Sequence, residues 1–442
     1  MKPSTKMVIV ILVILLLAVM LSAACGGGND ETEKPTPILT PSITSTSTPT
    51  ATHEPSPTTK PTEDAAKSVV ITIGNLTDLT GIAANAMAPI TMALEDTIDY
   101  YNENNLIPGV ELVVITYDGQ TNPDRDTPGY ELLRENGADL IFTPVPATPV
   151  SLKPRVDSDE VVLFALSANI DELLPPGYVF NLGVIPQYDS YTLLKWIAEN
   201  DWDYQTKGPA KVGGAAWEES YSGEFLAGLE DYCSAHPDQF EWEGGYLTHF
   251  SMNWQAEVEA LKDCDYVYPG FVMKSFVEQY RSAGYTEAKF IGSDTQTALM
   301  GMVDEAELWE EIDGMLFLRF SRWWNEEGEM VNRAKQLLYE YHPNDAETII
   351  RSGNGYLATT MVYAILSIIA DAAEAVGPQN LDSQAIYDAA TSFVLTSDGV
   401  HRLSFGEEKR DATDSYAMYE ARAAEEDIFR LQDEWYPTVR NP

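Results

Sequence analysis

Beyond residue 67 the chain alternates short apolar runs with longer stretches whose apolar positions recur at a helical period. Residues 69–74 form the first run and predict a strand. Residues 83–101 carry an apolar stripe at Met87, Ile90, Leu94, Ile98 and Tyr101, the face of a helix, and Pro89 predicts that its regular part starts near that residue. Strands are expected at 111–117, 139–142 and 161–164, with a helix ending near Asn136 and another at 149–156 between them. These strands are near-continuous apolar runs (LVVITY, VVLF), as a parallel sheet covered on both faces by helices requires. A second series follows the same rhythm. Its helices fall at 190–200, 221–235, 254–262 and 272–283, and its strands at 211–215, 245–250, 265–268 and 288–291. The pattern predicts an α/β fold of two doubly wound parallel-sheet units in tandem. The stretch 355–376 is apolar nearly all round and reads as a helix buried between neighbours.

Ligands of open α/β sheets bind outside the carboxyl ends of the strands. Those ends carry residues 77–81, 143–148, 167–169, 217–221 and 293–297, rich in small, hydroxyl and amide groups with a few aromatics. The set suits a small polar ligand and contains no nucleophile–base pair. The five histidines show no ligand spacing, so neither a metal site nor a cofactor is expected.

The first 67 residues follow other rules. Lys2 and Lys6 precede an apolar run from Met7 to Leu21 that ends in Ser22-Ala23-Ala24-Cys25, the layout of a secretory signal peptide over 1–24. Cys25 with the following glycines resembles a bacterial lipobox, which implies a lipidated cysteine, although Ser22 stands where the usual leucine would. A membrane-spanning anchor is the alternative, since about 18 apolar residues can just cross a bilayer. Residues 25–67 then read as a tether, with most of 32–62 being Pro, Thr or Ser. Such a segment cannot offset its ordering entropy and stays extended, reaching up to roughly 100 Å. The expected location is outside the cytoplasm, attached to the outer face of the membrane.

The body from Ser68 onward has the length of two ordinary domains. A net charge of −42 excludes nucleic acid or anionic lipid headgroups as partners through a basic face. Cys233 and Cys264 are an even pair in an oxidising space and are expected to form a disulfide. One closes a helix and the other precedes a strand, both at the amino end of the sheet.

At the strand ends the chain resembles the leucine/isoleucine/valine-binding family of ABC-transporter solute receptors, which have the type I periplasmic-binding fold. The resemblance lies in ITIGNLTDLTG, YDGQTNPDRD, LIFTPVPAT, VLFALSAN, AAWEESYSG, KFIGSDT and HRLSFG, in that order over residues 68–422. It implies two lobes joined by crossovers near 183–188, 318–322 and 411–415, with lobe 1 at 68–186 plus 321–412 and lobe 2 at 187–320 plus 413–442. It implies a monomer that binds an amino acid or similar small polar ligand and delivers it to an ABC permease, without catalysis. By position, Ala147, Thr148, Ser167, Ala168 and Asn169 of lobe 1 would hold a ligand carboxylate. Tyr221 and Asp294 of lobe 2 would hold its ammonium, and Thr80 would lie in the first ligand loop. Pro144 and Pro146 depart from the pattern by removing two backbone donors. Ala86 stands where an aromatic is common and widens the pocket, and Asn169 replaces threonine.

Each of these residues also has a local role. Asp294 in its GSD turn can cap its own backbone, Ser167 and Asn169 suit a helix cap, and Thr80 suits a turn. Trp217 suits a rim or core position, and Trp323 with Trp324 suit hinge packing. Two other functions fit the composition: a ligand sensor signalling to a membrane partner, and an extracellular hydrolase. The second lacks a GxSxG or metal-ligand motif.

Overall fold

The computed structural model describes residues 68–442; the signal segment 1–24, Cys25 and the 25–67 tether lie outside the described residues. Strand β1 (Val69–Thr77) leads through helix α1 (Ala84–Glu103) to β2 (Val110–Asp118), which pairs with β1 in parallel. Helix α1 starts at Ala84, one turn before the expected start at Pro89. Pro89 lies inside the helix and packs against Gly355: a Cβ placed there would sit 2.8 Å from the Pro89 Cβ, so only glycine allows that approach.

Helices α2 (Asp126–Glu135) and α3 (Thr148–Asp159) link β3 (Leu140–Thr143), β4 (Leu163–Ser167) and β5 (Val179–Val184). The five strands form one sheet of order β2-β1-β3-β4-β5, parallel throughout. Reversal of winding at β1 puts helices on both faces, which is why Phe142, Phe164 and Phe180 are fully buried.

The chain then enters a second sheet. Helix α4 (Pro186–Asn200) precedes β6 (Ala210–Trp217), α5 (Ser220–Ala235), β7 (Phe240–Thr248), α6 (Gln255–Ala260), β8 (Tyr266–Tyr268), α7 (Lys274–Ser282), β9 (Lys289–Ser293) and β10 (Leu316–Arg319). It returns to the first lobe as α8 (Glu329–Tyr341), α9 (Ala346–Ser352), α10 (Thr359–Val376), α11 (Ser383–Ala390) and the hairpin β11 (Val394–Ser397) and β12 (Val400–Ser404). Finally β13 (Ser415–Arg422) and β14 (Asp427–Arg430) close the second sheet in the order β14-β13-β10-β9-β8-β6-β7. Strand β13 runs antiparallel to both β10 and β14, so this sheet is mixed, a feature the apolar pattern alone did not predict.

Helix α10 packs its apolar residues Ile365 and Ile369 against Leu94 of α1 and the first sheet, which explains its all-round hydrophobicity. On the second sheet, Phe225 and Leu229 of α5 cover Val212, Tyr266 and Tyr268. The opposite face is covered by Leu261, Val277 and Tyr280. Strand β7 begins five residues before its expected start because it is a half-exposed edge strand, bulged at Gly244 (φ +141°).

The same layering overturns the expected disulfide. Cys233 and Cys264 are both buried free thiols. The crossover β6–α5–β7 moves one way across the sheet and β7–α6–β8 moves back, so right-handed connections place α5 and α6 on opposite faces. Cys233 packs with Tyr232 and Phe240 on one face, and Cys264 with Leu261 and Val267 on the other. The sheet itself stands between the two sulfurs.

Three chain passages connect the lobes. Two of them are stitched together: the Asn181 N–H donates to the Arg410 carbonyl at 2.8 Å, the Ala412 N–H to the Asn181 carbonyl at 2.8 Å, and the Thr413 hydroxyl to the Gly183 carbonyl at 2.9 Å. A seam lies beside the third. The Trp324 indole N–H donates to the Gly353 carbonyl at 2.9 Å, and the Asn354 N–H to the Thr297 carbonyl at 3.1 Å. Arg351 pairs with Asp304, and Leu337, Leu338 and Tyr356 share one apolar cluster with Val303, Phe290 and Phe317. Trp323 is also buried and donates to Asp427.

Candidate functional site

A cavity of about 480 Å³ lies where the carboxyl ends of both sheets face each other. After β1 the chain contributes Ile82 and the first turns of α1, with Ala83, Ala86, Met87 and Ile90. The end of β3 contributes Pro144, Pro146 and Ala147, and the end of β4 contributes Leu166 and Ser167. From the second lobe come Trp217 to Tyr221 after β6, Phe250 after β7, Phe271 after β8, and Asp294 with Thr295 after β9. Phe320 and Ser321 of the third crossover, with Leu357 and Met361 at the start of α10, close the back. The walls are mostly aliphatic and aromatic carbon. Among the described lining residues there are acids but no Lys, Arg or His.

Of the residues expected here from sequence, Ala147, Ser167, Tyr221 and Asp294 line the cavity. The other four do not. Thr80 is exposed and donates to Asp118 at 2.6 Å. Thr148 is fully buried behind the wall, its hydroxyl 3.3 Å from Asp126. Ala168 is buried on the far side of β4, and Asn169 starts a short helical turn by donating its N–H to Glu172 at 2.7 Å. Ala86 does stand in the wall, where its small side chain leaves room.

Asp294 and Tyr221 both have internal partners. Asp294 is buried, and its carboxylate binds Arg319 at 2.8 Å, the Phe320 N–H at 2.9 Å and the Asn354 amide at 3.0 Å. Burial raises its pKa and the Arg319 charge draws it back. Its countercharge is thus the protein's own arginine, not a ligand ammonium. Arg319 is completely buried and is held between the rings of Trp323 and Tyr419. The Tyr221 hydroxyl sits 2.7 Å from Asp189 and 2.6 Å from Ser293, so this residue presents its ring to the cavity. Asp189 also accepts from the Tyr416 hydroxyl at 2.7 Å, and complete burial pushes its carboxyl up to about 7.

Glu219 caps α5 by accepting from the N–H groups of Tyr221 at 2.8 Å and Ser222 at 2.7 Å. Burial raises its pKa, and these donors oppose the rise. Trp217 fixes its indole by donating to the Ser251 carbonyl at 2.8 Å and meets Phe250 edge-on. Ser167 differs: its hydroxyl is buried in the cavity wall and has no protein partner.

The apolar walls were missed in the sequence, although Pro144, Val150, Phe250, Phe271 and Phe320 lie at the same strand ends as the polar residues that were singled out. Met87, Ile90 and Met361 had no such signal, because on a helix an apolar residue facing a cavity reads like one facing a core.

No match is found among curated proteins by sequence. Solved structures do match in fold. A branched-chain amino acid ABC transporter protein from Thermus thermophilus with bound valine superposes with a TM-score of 0.70 at 15% identity, over 84% of this chain and 98% of that one. A solute-binding protein from R. palustris in complex with 4-hydroxybenzoate gives 0.69 at 14% identity, over 84% and 98%. A fatty acid ABC transporter substrate-binding protein from Thermomonospora curvata gives 0.66 at 17% identity, over 84% and 95%. A family model described as periplasmic binding protein matches residues 70–426. With two sheets facing across a cavity and that match over most of its length, the chain belongs to the periplasmic binding protein family.

Proposed function

We propose that this protein is an extracytoplasmic receptor that captures one small, mainly apolar molecule between its lobes and presents it to an ABC importer. The observation that carries the reading is the cavity of about 480 Å³ between the strand ends, a size and lining suited to a small organic ligand. The three solved relatives are named for ABC transport, and valine, hydroxybenzoate and fatty acids share an apolar body. In this reading Cys25 carries the lipid, the 25–67 segment tethers the receptor, and the lobes act as a monomer.

An α-amino acid, the ligand expected from the resemblance, fits less well. A zwitterion taken from water needs a partner at each end. Asp294 is already paired, and Thr148, Ala168 and Asn169 lie off the cavity. A thermal-shift screen of amino acids, aromatic and aliphatic acids, amides, alcohols and polyamines tests the proposal. A true ligand at 100 times its Kd should add about 2.7 kcal/mol to stability. If no compound of matching size raises the melting temperature, solute capture is the wrong function.

A further inference from the structure

Resting on that reading, we infer that the cleft selects against charged ligands and takes an uncharged, mainly apolar molecule with one hydrogen-bonding group, held by the Ser167 hydroxyl. Three independent features of the lining point the same way.

First, two places where an anion would settle are filled by the protein's own carboxylates. A helix N-terminus is a ready anion site, because its N–H groups are unpaired and its dipole is positive there. Among the helices that start at this cavity, α1 in lobe 1 and α5 in lobe 2 have a carboxylate at that end. At the first, fully buried Asp78 accepts from the N–H groups of Gly81 at 2.5 Å and Ala83 at 3.0 Å, and from the Thr121 hydroxyl at 2.6 Å. It lies directly behind the lining residues Ala83 and Thr121. At the second, Glu219 takes the N–H groups of Tyr221 and Ser222 from within the lining itself. An incoming carboxylate would meet like charge at both helix ends.

Second, the loops of lobe 1 have few donors left to offer. Pro144 and Pro146 have no N–H. The Val145 N–H donates to the Thr143 hydroxyl at 3.2 Å, Thr148 to the Val145 carbonyl at 3.2 Å, Ala168 to the Val184 carbonyl at 3.4 Å, and Asn169 to Glu172. Among the described lining residues no cationic side chain replaces them.

Third, the acids do not serve a cation either. Asp294 is neutralised by Arg319, and Glu219 by the end of its helix. Glu218 is exposed at the rim, where water screens it. What remains is apolar wall plus one buried hydroxyl without a protein partner, Ser167. A buried hydroxyl without a partner is unfavourable, and a ligand amide, alcohol or phenol would satisfy it. The inference sets this chain apart from its solved relatives, since valine, 4-hydroxybenzoate and fatty acids all carry a carboxylate.

The test is calorimetric titration at neutral pH with matched compounds on one skeleton, phenyl and then heptyl, bearing an amide, an alcohol, a carboxylate or an ammonium group. The amide or alcohol should bind at least about 30-fold more tightly than either charged partner. In Glu219→Gln, the ratio of carboxylate to amide affinity should rise by about tenfold. In Ser167→Ala, the amide should lose about tenfold and the matching hydrocarbon nothing. A carboxylate or ammonium that binds as tightly as the amide would overturn the selection and leave solute capture standing. An unchanged carboxylate ratio in Glu219→Gln, or an unchanged amide affinity in Ser167→Ala, would likewise overturn it. Failure of both series, and of the broader screen above, would remove the function on which it rests.

Discussion

The Asp294–Arg319 pair separates a ligand-binding acid from a structural one, and the two roles predict different measurements. Asp294→Asn keeps the shape and removes the charge. Arg319 would then be a completely buried cation whose remaining partners are the Thr297 hydroxyl, the Ser321 hydroxyl at 2.9 Å and two aromatic faces. Its Nε already has no partner. Breaking a buried ion pair by removing one member costs about 3–5 kcal/mol, because the survivor's lost hydration is not compensated. Each contact to a neutral hydroxyl returns only about 1 kcal/mol, so the net loss should stay near 3 kcal/mol or above. Arg319→Met in the Asp294→Asn background removes the stranded charge and should recover most of that loss. Urea unfolding of the parent, both single variants and the double variant completes the cycle. If Asp294→Asn unfolds within about 1 kcal/mol of the parent (what a single neutral hydrogen bond contributes), the carboxylate is not structural and the ammonium role returns.

Two further outcomes follow from buried groups. Asp189 titrates at about 7 in the folded protein against an ordinary 3.8, so the folded state holds its proton more tightly than the unfolded state. The stability from this group is present in full below its ordinary value and is lost as pH rises through about 7. Asp189→Asn should therefore gain on the parent between about pH 4 and 7 and hold an advantage on the order of 2–4 kcal/mol above that; a difference that does not vary with pH refutes the burial argument. Cys233 and Cys264 are both pushed up to about 12 by burial. Without reductant, each should resist alkylation in the native protein and react after unfolding, as read by peptide mass mapping. A peptide linking the two would restore the disulfide.

The core of both sheets was legible because its strands are uninterrupted apolar runs and its helices keep a clear stripe. Strand β7 was placed late because it lies at an edge, where half its residues face water and the alternation is weak. Strand β13 was not anticipated, since its partner β10 lies about a hundred residues earlier and pairing at that distance leaves no local signature, and β14 pairs only with β13. In the site, sequence located the loops but not the direction of each side chain. Leu166 and Ser167 both line the cavity while Ala168 does not, because the strand register shifts just before Ser167 and the alternation breaks there. Nothing in the run LFLR marks Arg319 as the partner of an acid 25 positions earlier. That pairing became visible only when β9 and β10 were seen side by side.

The seam beside the third crossover gives the cleft a front and a back. There Asn354 binds Thr297 and Arg351 binds Asp304 across the lobes, and an apolar cluster runs through without a break. Any opening that preserved those contacts would pivot about them, so displacement grows with distance from that line, as on a lever. Thr297 and Asn354 lie on the pivot and move least. Val150 and Phe250 line the cavity from the two lobes, away from those contacts, and both stand exposed. A distance probe spanning Val150 and Phe250 should therefore register a larger swing on opening than one spanning residues 297 and 354.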